Sequence, residues 1–543
     1  MAVNKILKLC AAVATATTLT ACIDWSDENT PLRPGDVKNV IMMIGDGMGP
    51  QQVGMLQEYA KRAPNSIYQG QPTALEKFSY KGVVGLSSTG PEASIVVDSA
   101  CSASQLATGV SSGSEMIGLD YVGNPVETIL EKAKKMGKAT GLISDTRITH
   151  ATPASFAAHQ AHRSMENEIA SDMLANSVDV MLSGGLRYWI PASVNSDAEV
   201  NQAVADLVNE PSIRIKSKRG DDRNLLTEAQ SDGYQLAFNL DQMNAANGDK
   251  LLGLFHYSAM MDGIAYTASK DDETRTQPSL KEMTIKALDI LAKDPDGFFL
   301  MIEGGQIDWA AHYNDAGTML HELLKFDESI EAVYEWVQGR NDTLVVITAD
   351  HETGGFGFSY SRKDIPEPTA LEGEAFSDRD YQPNYNFGPL EILDKLYAQS
   401  MSFENMWYEA GGDLYQTRPT AADIMAVVNA NSEFKITLEQ AEEIVAREEN
   451  KYQDTEHQYL YDPEYPNFED FEEFYVYGEY DHLDLIGRKV AADQNIVWGT
   501  GTHTHTPVAV IAYGPVNVVK NYTNLMHHTD VGKLTIQALE QKL

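Results

Sequence analysis

The 543-residue chain carries 79 acidic and 41 basic side chains, a formal net charge of −38, which argues against nucleic-acid binding and against a basic membrane-surface patch. A hydrophobic content of 43% is that of a globular protein, and the length suits one large α/β domain with insertions or two or three smaller ones. Three cysteines, Cys10, Cys22 and Cys101, imply no disulfide framework. So acidic a surface repels anions, and any phosphate site must carry strong local positive charge.

At the N-terminus, Lys5 and Lys8 precede the apolar region from Leu9 to Leu19, which is too short for a transmembrane helix and reads as an export signal. It ends Leu19-Thr20-Ala21-Cys22, resembling a bacterial lipoprotein signal cleaved before a lipidated Cys22; a plain secretory signal cut nearby is the alternative. The expectation is a signal peptide over 1–21 and a polar tether over 22–36 containing Pro31 and Pro34. The protein would be exported to the periplasm or cell surface and anchored to a membrane by lipid on Cys22.

Val37 to Ile44 reads as a strand covered on both faces, ending in the turn Gly45-Asp46-Gly47-Met48-Gly49. Asp46 thus sits at a strand's C-terminal end, where open α/β sheets place their ligands; taken alone, an ordinary Asp in a Gly turn is the favoured reading. A second strand is predicted over Lys81 to Ser88. Val97-Asp98-Ser99-Ala100-Cys101 then leads into a small-residue, helix-capable run, which places Ser99 at a helix N-terminus, where unpaired N–H groups and the dipole favour phosphate. Such a serine needs an activating base or metal to act as a nucleophile. Taken alone, Asp98 or Ser99 reads first as a helix N-cap, the more common role for such residues.

The helix Val126 to Met136, the strand Lys138 to Ser144, a helix in whose first turn Thr152 and Pro153 stand, and the strand Val178 to Leu182 continue an alternation that signals a parallel sheet. Arg163, just past His159 and His162, suits a bidentate phosphate clamp. Residues 196–249 read as a polar excursion from the sheet. Strands at Leu251 to Phe255 and Gly297 to Ile302 flank the helix Ser279 to Lys293, and the second strand runs into Glu303 and then Asp308 and His312. If that stretch is helical, Asp308 and His312 share a face at the spacing of a zinc half-site.

After a long helix from Asp315 to Gln338, the strand Thr343 to Ala349 ends in Asp350-His351, followed by Gly354-Gly355. Neighbouring strand residues point to opposite faces, so both must lie in the turn beyond it to reach one metal, a turn the diglycine permits. Residues 360–495 are acid- and tyrosine-rich and break the rhythm, with helical pieces such as Leu438 to Glu448. They read as a large insertion over the sheet's active edge: a lid, a dimer contact or a salt-tolerant surface. The core resumes at Gly501-Thr502-His503-Thr504-His505, with a strand from Pro507 to Tyr513 and a closing helix from about Thr529.

Asp46, Glu303, Asp308, Asp350, His351 and His503 all stand beside predicted apolar strands, and such groups are costly to cluster unless cations neutralise them. In this combination the chain resembles the bacterial alkaline phosphatases, over Val37 to Gly355 and from Gly501 to the end. The resemblance implies an α/β three-layer sandwich around a mostly parallel sheet, one domain over 37–543 with large insertions. It also implies a phosphomonoester hydrolase active at alkaline pH. Ser99 matches the nucleophile that becomes phosphoserine. Asp308, His312 and His503 match the ligands of one zinc; Asp46, Asp350 and His351 those of a second beside Ser99; and Asp46, Thr152 and Glu303 those of a magnesium. Arg163 matches the phosphate-binding arginine.

His503 is preferred over His505 because its distance to Tyr513-Gly514-Pro515 fits the family pattern. His150 stands where some relatives carry an aspartate near the magnesium, and Trp309 where they carry a lysine facing substrate, so the third metal's identity stays open. The resemblance further implies two Zn2+ and one Mg2+ per chain and a homodimer. A sulfatase requires a Cys-x-Pro-x-Arg run, absent from Cys101-Ser102-Ala103-Ser104-Gln105. A phosphodiesterase of the same superfamily is disfavoured by Arg163, and a non-catalytic acidic metal-binding lipoprotein would leave Ser99 without a role.

Overall fold

The computed structural model describes residues 34–543 except Gln416 and Gln458; the expected signal peptide, Cys22 and nearly all of the tether lie outside the described residues. Ten strands form the central sheet, numbered here β1 (Asn39–Gly45), β2 (Val83–Ser88), β3 (Ala139–Arg147), β4 (Val180–Gly184), β5 (Gln235–Ala237), β6 (Leu251–Leu254), β7 (Phe298–Gly304), β8 (Thr343–Ala349), β9 (Val508–Tyr513) and β10 (Leu525–His527). Their spatial order is β10-β2-β9-β8-β1-β7-β3-β4-β6-β5. Only β9, antiparallel to both β2 and β8, runs against the other nine.

The central strands are apolar on both sides because both faces are covered. From β1, Ile41 and Met43 enter one hydrophobic core with Leu300 and Ile302 of β7 and Val345 and Ile347 of β8. Val40, Met42 and Ile44 enter the other with Phe299, Met301, Leu344 and Val346. This alternation makes the three-layer α/β sandwich that the sequence leads one to expect. Every residue of β1, β7 and β8 is buried, so the polar groups at their C-terminal ends emerge on a rigid platform.

Helix boundaries follow local chemistry. Thr128 and Ser279 form capping boxes with Glu131 and Glu282, starting helices Ile129–Lys135 and Leu280–Leu291. Two expectations need correction. The polar stretch 196–249 does not leave the sheet altogether, because Gln235–Ala237 returns as its terminal strand beside β6. Leu438 to Glu448 is not continuous helix: the helix ends at Ile444, and Arg447–Glu449 pairs with Glu464–Pro466. The helix Pro50–Arg62 and the edge strand β10, both outside the sequence reading, follow the Asp46 turn and precede the last helix, His528–Leu539. Among the described residues no helix is long and apolar enough to cross a membrane.

Candidate metal and phosphate site

Ser99 is the first residue of helix Ser99–Thr108, and Asp98 is its N-cap, accepting from the backbone N–H of Ala100 (3.0 Å) and Cys101 (3.3 Å). The capping role and the candidate nucleophile therefore fall on adjacent residues. Asp98 does more, since its Oδ2 also pairs with Arg163 Nη1 at 3.2 Å. Arg163 Nη2 lies 3.2 Å from His150 Nε2. A guanidinium has no acceptor, so His150 Nε2 accepts and its ring proton sits on Nδ1. Burial, followed by Arg163, keeps the His150 pKa well below the ordinary histidine value. Trp309 packs edge-on against the His150 ring at 5.7 Å. Arg163 is thus braced from two sides, and among the described residues its remaining guanidinium N–H groups have no hydrogen-bond partner and can meet an oxyanion.

Three ends of the sheet deliver the acidic groups. Asp46 follows β1 in a turn made possible by Gly47, whose φ of +70° favours glycine and whose missing Cβ would lie 2.7 Å from the Asp308 Cα. Gly47 N–H donates to Asp350 Oδ1 at 3.0 Å, tying the β1 and β8 turns together. Asp350 and His351 lie in the break between β8 and the short strand Glu352–Thr353, with Gly354 and Gly355 at positive φ beyond it, as the two-residue reach requires. The Asp350 carbonyl is held by Ser102 Oγ (2.7 Å) and His528 Nε2 (2.9 Å). Glu303, the penultimate residue of β7, accepts from Ser144 Oγ and Thr146 Oγ1 of β3.

The histidines share one device. His312 Nδ1 donates to the Gly501 carbonyl (2.7 Å) and His503 Nδ1 to that of Val97 (2.8 Å), which leaves both Nε2 atoms as bare lone pairs 3.1 Å apart. Two lone pairs repel at that distance unless a cation lies between them. Asp308, four residues before His312 on helix Gln306–His312, brings Oδ2 to 3.1 Å from His312 Nε2 and Oδ1 to 3.6 Å from His503 Nε2. His351 Nδ1 faces Thr353 Oγ1 at 3.3 Å, and its Nε2 lies 3.1 Å from Ser99 Oγ, 3.0 Å from Asp350 Oδ2 and 3.5 Å from Asp46 Oδ1. Strand His503–Thr504 pairs with Glu352–Thr353, which brings His503 over His351 with ring centroids 3.5 Å apart. His505, two residues on, is exposed and joins no cluster of metal-ligating groups among the described residues.

Donor atoms gather in three groups: Asp308, His312 and His503; Asp46, Asp308 and His351; and Asp46, His150 and Glu303. Asp308 therefore also borders the group expected of Asp46, Asp350 and His351. Among the described residues both Asp46 oxygens, Asp350 Oδ2, Glu303 Oε1 and Thr152 Oγ1 are buried without a hydrogen-bond partner. So many orphans in one place is the mark of a cation site, because each would otherwise carry its full desolvation cost.

The electrostatics agree. Burial, then Asp350, Asp308 and Glu303, pushes the Asp46 pKa far above the carboxylate range. Burial pushes Glu303 up to about 8. Burial would raise Asp308 too, but His312 and its neighbours hold it well below the usual range. For His351, burial lowers the pKa and the Asp350 carboxylate more than offsets it. A proton there occupies the place a divalent ion would fill.

The alkaline phosphatase family model matches residues 37–541, taking in every residue of these three groups. The chain belongs to the alkaline phosphatase family. It is 35% identical over 329 residues to alkaline phosphatase 3 of Bacillus subtilis, covering 59% of this chain and 62% of that protein. The alkaline phosphatase of Thermus thermophilus superposes with a TM-score of 0.72 at 26% identity, over 94% of this chain and 93% of that one. The cold-active alkaline phosphatase of a psychrophilic Shewanella superposes at 0.64 and 25% identity, over 92% and 99%.

Sequence reasoning missed several groups around the site. Thr353 donates to Asp308 Oδ1, and Asp145 accepts from the Gly305 N–H and pairs with the buried Lys325. Ser144, Asp145 and Thr146 end an apolar strand as Asp46 does, so that signal was in reach. Tyr477, edge-on to His312 at 4.8 Å, comes from a tyrosine-rich stretch that gave no reason to single it out.

Proposed function

We propose that the protein is a metal-dependent phosphomonoester hydrolase that works at alkaline pH through a phosphoserine on Ser99. The observation that carries this reading is the buried, partnerless donor set directly behind Ser99, in a chain of this family. The donor chemistry suits two zinc ions and one magnesium. Asp308, His312 and His503 offer the imidazole-rich set zinc favours, and Asp46, Asp350 and His351 a second. Asp46, Glu303 and Thr152 offer the oxygens magnesium favours. Ions held there supply Lewis acidity and neutralise charge on the phosphoryl group.

The chain's own residues do the rest. Arg163, aimed by Asp98 and His150, holds two phosphoryl oxygens. Ser99 Oγ, fixed at a helix N-terminus whose dipole favours the anion, attacks phosphorus in line and the alcohol leaves. Water then attacks the phosphoserine from the vacated side, releasing phosphate and restoring the serine. Catalysis is mainly positioning and charge stabilisation. His150, with Nε2 accepting from Arg163 and its proton on Nδ1, orients the guanidinium beside the Asp46 and Glu303 carboxylates; Trp309 holds its ring and lines the substrate side.

Export, a lipid anchor on Cys22 and homodimerisation complete the proposal, supported by the signal-like N-terminus and by the family resemblance. The test is the hydrolysis rate of a chromogenic phosphomonoester against its matching diester at alkaline pH with zinc and magnesium supplied. Strong preference for the monoester is expected; preference for the diester, or no turnover with metals bound, would overturn the reading.

A further inference from the structure

Residues 474–477 form a strap across the group made by Asp308, His312 and His503. The Phe474 carbonyl accepts from Thr500 Oγ1 (3.0 Å) and from the Gly501 N–H (3.3 Å), and the Gly501 carbonyl is the one that orients His312. Tyr475 is buried, stacked on Phe468 at 3.9 Å, and its hydroxyl accepts from Arg488 Nη1 at 2.8 Å. The Tyr477 N–H points at both oxygens of the buried Asp481 carboxylate, at 3.2 and 3.0 Å. The strap is therefore pinned on each side of Tyr477, and its ring is held edge-on to His312, with centroids 4.8 Å apart and planes at 74°.

A side chain so firmly placed is nonetheless 43% exposed, and among the described residues its hydroxyl has no hydrogen-bond partner. Ser99 lies against His351, whereas Tyr477 lies against His312 of the other group. In an in-line displacement the attacking and leaving oxygens sit on opposite members of such a pair, which puts Tyr477 on the leaving side.

We propose that Tyr477 is a specificity-determining contact for the leaving alcohol, a flat wall on the leaving side that favours aryl over small alkyl phosphomonoesters. This rests on the phosphomonoesterase reading and adds a role for the 360–495 segment. An aromatic pair contributes enough to change a rate ratio by roughly 2- to 10-fold.

The test compares kcat/KM for phenyl phosphate and for glycerol 2-phosphate in wild type, Tyr477→Ala and Tyr477→Phe. The Ala variant should lose roughly 2- to 10-fold of the phenyl-over-glycerol preference, while the Phe variant keeps it and inorganic phosphate inhibits all three alike. Equal losses on both esters would mean that Tyr477 only supports His312, and an unchanged ratio that it touches no leaving group; either result overturns the contact alone. Turnover of neither ester by the wild type would instead overturn the phosphomonoesterase reading and the contact with it.

Discussion

Glu303 gives the sharpest link between the site and stability. Its carboxyl is fully buried, with Oε2 held by Ser144 and Thr146 and Oε1 without a partner among the described residues. Burial pushes its pKa up to about 8 from an ordinary 4.5. In metal-free protein the folded state therefore keeps a proton that the unfolded state has lost between about pH 4.5 and 8. Stability falls as pH rises through that window and is level above it, by at most about 5 kcal/mol. Glu303→Gln keeps an acceptor for Ser144 and removes the titration. With an unfolding entropy of about 1 kcal/mol/K for a chain of this size, the variant should melt up to about 5 °C above wild type at pH 9 in chelator, and close to it at pH 5. With zinc and magnesium restored the order should reverse, because a neutral amide is a poorer ligand for a divalent ion. A chelator-treated variant no more stable than wild type at pH 9 would refute the picture of a carboxylate cluster waiting for cations.

The two histidines of the Thr502 to Thr506 run should separate cleanly. His503→Ala should lose bound metal and several kcal/mol of transition-state stabilisation, about 100-fold or more in rate, whereas the exposed His505→Ala should stay near wild type; metal analysis beside kinetics checks both. Away from the site, His321 Nε2 donates to the Tyr397 carbonyl at 2.9 Å and its Nδ1 faces the Thr267 hydroxyl at 2.9 Å. Burial lowers its pKa to about 4, so the unfolded chain binds a proton the folded one refuses between about pH 4 and 6.5. That stability is fully present above 6.5 and is lost on acidification, by about 3 kcal/mol. Urea midpoints of chelator-treated His321→Gln between pH 4.5 and 7 should fall less steeply than those of wild type; equal slopes would contradict the assignment.

Much of this architecture was legible because single physical constraints dictated it. Runs such as Val40–Ile44 and Leu344–Ile347, apolar at successive positions where a one-sided strand would alternate, demand cover on both faces, and the glycines after them mark where the chain turns out carrying an acid. Asp308 and His312 declare themselves by a four-residue spacing. What the sequence hid depends on long-range pairing. His503 reaches the Asp308 and His312 donor atoms through the register of His503–Thr504 on Glu352–Thr353, a pairing about 150 residues apart, whereas the preference for it in the sequence came only from its spacing to Tyr513-Gly514-Pro515. The bracing of Arg163 by Asp98 and His150 needs residues 65 and 13 positions away. Tyr477 reaches His312 through a strap whose anchors, Phe474 to Gly501 and Tyr477 to Asp481, are individually unremarkable. The edge strands β5 and β10, each only three residues long, had too little pattern to stand out.

The proposed chemistry requires Ser99 to carry the phosphoryl group during turnover. Acid-quenching the metal-loaded enzyme during phosphomonoester hydrolysis and mapping the modified peptide by mass spectrometry tests it most directly. A phosphoryl group on Ser99, absent from an inactive Ser99→Ala variant, is the result predicted here. Turnover without any covalent phosphoryl, a phosphoryl group on a different residue, or a Ser99→Ala variant that hydrolyses the ester at the wild-type rate would contradict it.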